Sequence, residues 1–207
     1  MSQPTEARTA EAARARFLLP PAAGGLVLAL LLFGVGLYLW VSGTPRAAIG
    51  GPFVLEDGNG QTVTDRSFRG KYMLVYFGYT FCPDVCPTTL NEVAGALAKL
   101  GPKAEQLEPL FVTVDPRRDT PAVIKQYTNA ISPRIIGLTG TPEEIDAVER
   151  KYHVYAAKRV TGPGPNDYTM DHSSILYLMG PDGRFVAPID AEQTDTQLAQ
   201  ALAGLIS

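Results

Sequence analysis

The sequence predicts an α/β sandwich that follows a single membrane-spanning helix, and three observations carry that prediction. Strand-like and helix-like runs alternate after residue 51, they end in a hairpin and one last helix, and a charge-free stretch from Phe17 to Pro45 precedes them. A chain of 207 residues has room for one ordinary domain and little more. Of its 18 basic and 21 acidic side chains, four Arg and two Glu lie before residue 47, so the remainder carries a formal charge of −5 and no basic run. Nucleic acid is gripped mainly by Lys and Arg on phosphates, so the charge balance argues against that class of partner. Two cysteines exclude a multi-disulfide scaffold and a four-cysteine zinc site but leave a single dithiol.

The first element is the anchor, placed over residues 17–42 behind a cytoplasmic tail of residues 1–16. Its core, PAAGGLVLALLLFGVGLYLWV from Pro21 to Val41, is as long as one crossing of the hydrocarbon layer requires, about 20 residues. Pro20 and Pro21 fall at a first helical turn, where proline is tolerated, and Tyr38 and Trp40 suit an interfacial aromatic belt. Arg8, Arg14 and Arg16 precede the run and only Arg46 follows closely, which orients the N-terminus inward and the domain outward. A cleaved signal peptide would have a shorter apolar region, about 7–15 residues, and a better cleavage match than SGTPRAAIGG. Glu6 and Glu11 are foreign to a mitochondrial presequence. The expected location is therefore a bacterial inner membrane, single-pass, with a periplasmic domain.

After a linker over residues 43–50, the domain over 51–207 opens with GPFVLEDGNGQTVTD, two short strands around a DGNG turn. YMLVYF, Tyr72 to Phe77, reads as a strand covered on both faces, and so does PLFVTV, Pro109 to Val114. Between them Leu90, Val93, Leu97 and Leu100 recur at helical spacing, predicting a helix from about Pro87 that stops at Gly101-Pro102. Thr120-Pro121 caps a second helix, and Thr141-Pro142-Glu143-Glu144 supplies a capping box for a third. ILYLM, the GPDG turn and the run from Phe185 to Ile189 form a hairpin. Thr194 with Gln197 caps a terminal helix. This order is that of a thioredoxin-like fold with an extra N-terminal β-hairpin.

The chemistry concentrates in FGYTFCPDVCPTTL, which sets Cys82 and Cys86 between a strand and a helix. Strand-to-helix junctions are where open α/β sheets present their sites, and a helix N-terminus favours a thiolate. As a static staple the pair is poor, because a disulfide closing so small a loop restrains little of the unfolded chain. Dithiol oxidoreductases use C-x-x-C, whereas three residues intervene here. A peroxidase pattern would place a threonine three residues before its cysteine; Tyr79 and Pro83 occupy those places. Two thiolates joined by an imidazole suit copper, and Cu(I) in particular. His172, in MDHSSILYL at the start of a core strand and after a Gly- and Pro-rich loop, could be delivered beside the Cys turn, although a capping pair with Asp171 explains it as well. His153, in ERKYHVYAAK, is read as a packed or solvent-facing residue on a strand. In VDPRRDTP, residues 117–119 are expected to form an exposed charged turn, with docking as the competing role.

Taken together, GPFVLEDGNGQTVTD, GKYMLVYFGYTFCPDVCPTTL, PLFVTVDPRRDTP, IIGLTGTPEEI and DHSSILYLMGPDGRF resemble the Sco/SenC family of copper-binding assembly proteins over almost all of residues 51–190. The resemblance implies that Cys82, Cys86 and His172 bind copper as Cu(I) or Cu(II), and that Cys82 and Cys86 can form a redox disulfide. It implies a role in building the dinuclear copper centre of cytochrome c oxidase. The implied partners are the copper-bearing oxidase subunit, other copper chaperones and thioredoxin-like reductants. TNAISPR and VAPID depart from the family pattern and bear on partner contacts more than on the copper site. The expected function is metal delivery rather than enzymatic turnover; the alternative is a thiol-disulfide reductase that keeps the oxidase cysteines reduced.

Overall fold

The computed structural model describes Gly25, residues 30–38 and residues 48–206, and the chain divides into two compact units, Met1–Arg46 and Ala47–Ser207. In the first unit residues 30–38 are helical (α1), with Leu30, Phe33 and Tyr38 exposed. No helix among the described residues is long and apolar enough to cross a membrane. Most of the expected anchor over 17–42, the tail over 1–16 and the linker up to residue 47 lie outside the described residues.

The second unit is built on a seven-stranded sheet in the order β2-β1-β5-β4-β3-β8-β9. Its strands are β1 (Val54–Asp57), β2 (Thr62–Thr64), β3 (Tyr72–Gly78), β4 (Leu107–Thr113), β5 (Ile136–Thr139), β8 (Ile175–Met179) and β9 (Phe185–Asp190). β3, β4 and β5 run parallel, as expected of the strands joined by helical crossovers. β8 is antiparallel to β3 and to β9. The N-terminal hairpin extends the sheet by pairing β1 antiparallel to β5. β9 is an edge strand and accepts Pro188, which cannot donate to a ladder.

The helices are α2 (Val85–Leu100), α3 (Pro121–Ile131), α4 (Pro142–Tyr152) and α5 (Asp195–Leu205). Thr120, Thr141 and Thr194 are N-caps as their sequence patterns require, the last two with reciprocal capping boxes. Strand register sorts the core into two faces. Tyr76 and Phe111 lie side by side on one face, where Tyr127 of α3 packs 5.5 Å from Phe111. Phe77 and Tyr177 occupy the other face with Tyr152 of α4. A side chain at Gly137 would strike Ile124 at 2.8 Å, so the glycine is what lets α3 approach β5 closely.

Two local expectations need correction, and one sheet was not foreseen. α2 begins at Val85, two residues before Pro87, which places Cys86 inside the helix. His153 is not on a strand: it is the left-handed C-cap of α4, with φ 55°. A second, two-stranded sheet stands apart in the pairing scheme, β6 (Ala156–Val160) against β7 (Tyr168–His172), and its loop is the Gly- and Pro-rich segment.

Glu149 on α4 is held up at about 7, first by burial and then by the nearby Asp146 carboxylate. Its folded-state value lies above the ordinary 4.5, so its favourable contribution is complete below pH 4.5 and is lost as pH rises through about 7. Glu149→Gln is therefore expected to gain stability relative to wild type as pH climbs across that window. Urea midpoints measured from about pH 4 to about pH 8 check this; a difference that stays constant with pH rejects it.

Candidate metal centre

The two cysteines leave the sheet at the end of β3. The Cys82 N–H closes a tight turn onto the Tyr79 carbonyl at 3.2 Å, and the chain then enters α2 with Asp84 as N-cap. Asp84 makes no side-chain capping bond; instead the Cys82 sulfur accepts from the Cys86 N–H at 3.4 Å. A sulfur thus takes the place of a capping oxygen at the positive end of the helix. Cys86 is fully buried beneath it, 3.9 Å from the Tyr76 hydroxyl. A side chain at Gly78 would lie 2.8 Å from both the Cys86 sulfur and the Phe111 ring, so only glycine leaves room for that sulfur.

His172 stands at the end of β7, not at the start of the core strand β8 as the sequence suggested. Its Nε2 stands 3.3 Å from the Cys86 sulfur, and its Nδ1 stands 3.1 Å from the Ser173 carbonyl oxygen. A carbonyl can only accept, so Nδ1 carries a proton, and Nε2 is the nitrogen that faces the sulfurs. Tyr79 and Tyr76 meet the imidazole edge-on, with centroids at 5.9 and 6.2 Å. The donor atoms of Cys82, Cys86 and His172 all lie within 4.8 Å of one another.

Both thiols are free, and their environments drive them apart. Cys82 is pulled well below the ordinary thiol range, first by the hydrogen bond it accepts from Cys86, then by the His172 imidazole and further by the N–H groups of Asp84 and Cys86. Cys86 is pushed up, first by donating to Cys82 and then by burial. The opposed shifts make Cys82 the readier thiolate and Cys86 the thiol. Cys86 closes the site from below, while Cys82 and His172 are half-exposed and leave an open approach. Two sulfurs and one imidazole nitrogen are the donor chemistry that suits copper.

The VDPRRDTP turn is the main correction at the site. Among residues 117–119 only Arg117 is exposed: Asp119 is fully buried and the Arg118 side chain is 9% exposed. Asp119 accepts from the Thr80 N–H at 3.0 Å, the Thr80 hydroxyl at 2.6 Å and the Thr113 hydroxyl at 2.6 Å. Burial raises its pKa. It therefore fixes the loop two residues before Cys82. Asp171 does not cap anything near the site; it pairs on the surface with Arg159 at 2.6 Å. Sequence reasoning did not identify Tyr76, Gly78, Tyr79, Thr80, Arg118 and Asp119 as parts of the site. The Gly immediately after YMLVYF was the available signal for a close approach there.

Residues 41–207 match the family model described as SCO1/SenC. The chain belongs to the SCO1/SenC family. It is 43% identical over 161 residues to protein SenC of Rhodobacter capsulatus, covering 78% of this chain and 72% of that one. It is 42% identical over 164 residues to the mitochondrial SCO1 homolog of Mus musculus, covering 76% of this chain and 56% of that one. The chain thus spans little more than half the length of the mouse relative. Among solved structures it is similar to copper-bound ScoI of Bradyrhizobium japonicum, with a TM-score of 0.70 and 47% identity over 76% of this chain and 99% of that one. The α/β architecture of this SCO1/SenC member is accordingly the thioredoxin-like Sco fold, with an N-terminal hairpin added to its sheet.

Proposed function

We propose that this chain is a membrane-tethered copper chaperone. Its cargo, Cu(I) or Cu(II), is held by Cys82, Cys86 and His172 and passed to the copper-bearing subunit of cytochrome c oxidase as its dinuclear centre is built. The observation that carries this reading is the convergence of three donor atoms within 4.8 Å, one of them 86 positions along the chain from its neighbour. The named copper-bound relative supports the choice of metal. Soft thiolates favour Cu(I), and the imidazole adds a donor suited to Cu(II). Copper binds cysteine as thiolate, so uptake displaces the Cys86 thiol proton and is linked to proton release. The half-exposed Cys82 and His172 let an acceptor's ligands approach while Cys86 still holds the metal, the geometry a stepwise ligand exchange requires. The uncharged run over residues 17–42 and the Arg bias before it support a tether in a bacterial inner membrane, with this unit on the periplasmic side.

A second reading is favoured by one observation, the polarised dithiol. A depressed Cys82 thiolate backed by a protonated Cys86 is also the arrangement of a thiol-disulfide reductase. Such an enzyme has no need of an imidazole beside its sulfurs, which is why copper delivery ranks first.

The purified reduced chain offers a single set of two sulfurs and one nitrogen, so it is expected to bind about one copper per chain, with a sulfur-to-Cu(II) charge-transfer band. In a strain lacking the protein, excess copper is expected to restore oxidase activity. Metal analysis, absorption and electron spin resonance check the first outcome, and oxidase assays the second. Failure to bind copper rejects the chaperone; restoration by a thiol reductant but not by copper selects the reductase.

A further inference from the structure

We propose that Arg118 is a positioning residue that sets the stance of His172 over the two sulfurs and thereby controls the Cu(II) form of the site. The metal part of this inference rests on the copper reading above. The donor set has two halves. The sulfurs are built into the β3–α2 junction, but His172 sits on a β6–β7 hairpin whose strands pair only with each other. Backbone pairing with the main sheet does not position that hairpin, so side chains must.

Arg118 touches both halves. Toward the hairpin, its Nη1 donates to the Tyr168 carbonyl at 3.1 Å and reaches the Asn166 carbonyl at 3.4 Å. Its guanidinium lies 3.7 Å from the centre of the Tyr168 ring. Asp115 completes the clamp, accepting from Arg118 Nε and, at 2.9 Å, from the Tyr168 hydroxyl. Toward the sulfurs, the same guanidinium lies 4.6 Å from the centre of the Phe81 ring, next to Cys82, and 5.8 Å from that of Tyr79. Tyr79 in turn meets the His172 ring edge-on and hydrogen-bonds the backbone of Met170. The Arg118 and Asp115 side chains are 9% and 4% exposed, so the pair is shielded from the solvent screening that weakens surface ion pairs.

The shape of the group matters here. A planar guanidinium can stack on aromatic rings while donating in its own plane, and a lysine ammonium cannot do both. Without it, the Tyr79–Met170 contact still holds the hairpin near the site. The expected consequence is a displaced imidazole rather than a lost hairpin. Two thiolates satisfy Cu(I) largely by themselves, so the displacement falls on Cu(II), which depends more on the imidazole.

The test uses the full 207-residue chain carrying Arg118→Met, Arg118→Lys or Tyr168→Phe. In the metal-free reduced chain, the ring signals of His172 in nuclear magnetic resonance are expected to shift in Arg118→Met. With metal, that variant is expected to lose about tenfold or more in Cu(II) affinity and to show an altered charge-transfer band and hyperfine pattern, while Cu(I) affinity changes by less than about threefold. Arg118→Lys is expected not to restore the wild-type spectrum. Tyr168→Phe keeps the ring and removes only the hydroxyl held by Asp115, so it is expected to show a smaller change of the same kind. Unchanged His172 signals and an unchanged Cu(II) spectrum in folded Arg118→Met overturn the proposal; if that variant does not fold, the same result in Tyr168→Phe overturns it. A wild-type chain that takes up no copper overturns the chaperone reading, and the metal-free His172 signals then still decide whether Arg118 positions the ring.

Discussion

Replacing His172 with alanine is expected to leave a chain that still forms the Cys82–Cys86 disulfide and still holds Cu(I), but binds Cu(II) at least about a hundredfold more weakly. Groups that only orient a metal ligand cost roughly 10–100-fold when removed, and here a ligand itself is removed. The asymmetry between oxidation states follows from the donors. The two sulfurs are untouched and satisfy Cu(I). The imidazole, whose Nε2 faces Cys86 at 3.3 Å with Nδ1 tied to the Ser173 carbonyl, is the one nitrogen in the three-residue donor set. The same variant separates the two functional readings. A reductase works through Cys82 and Cys86 alone, so His172→Ala would leave its thiol exchange intact. A chaperone that uses both oxidation states fails in the cell. Affinities measured by competition for each oxidation state, beside the rate of disulfide formation, check this. Equal Cu(II) affinity in the variant and the wild type rejects the three-ligand site.

The parts of this molecule that could be read from the sequence are those set by neighbours along the chain. The caps at Thr120, Thr141 and Thr194 follow from three- or four-residue patterns, and each is present. Cys82 and Cys86 declare themselves because their strand-to-helix setting is local. His172 was legible only as a candidate, since nothing in MDHSSILYL says which surface its ring will meet. KYHVY reads as a strand because Tyr and Val favour one, yet His153 takes the left-handed conformation that ends α4. The burial of the VDPRRDTP turn was out of reach for a clearer reason. A charged triplet is normally solvated, and what reverses that here lies far away in sequence: Thr80, 39 positions from Asp119, and Tyr168, 50 positions from Arg118. Buried charges depend on their partners, and partner identity is a property of the fold.

Those buried partners carry the second large effect. Asp119→Ala is expected to cost on the order of 3 kcal/mol of stability, because each buried donor left unpaired costs roughly 1–3 kcal/mol. Three donors end on this carboxylate. The hydroxyls of Thr80 and Thr113 can rotate in search of another acceptor, but the Thr80 N–H is fixed by the backbone and has nowhere to turn. Asparagine should behave differently. Its oxygen can replace Oδ2 and accept from the Thr80 N–H and the Thr113 hydroxyl, while its amide donates to a reversed Thr80 hydroxyl. Because burial disfavours the ionised form of Asp119, removing the charge also removes a cost. Asp119→Asn is therefore expected to lose about 1 kcal/mol or less, a third of the alanine effect. Urea midpoints at matched slopes measure both values. The loss in Asp119→Ala should also reach the metal site, since Thr80 stands two residues before Cys82 and the freed loop no longer holds that sulfur over the start of α2. An alanine variant as stable as wild type, with the same Cu(II) spectrum, would show that the carboxylate neither braces the loop nor fixes the sulfur.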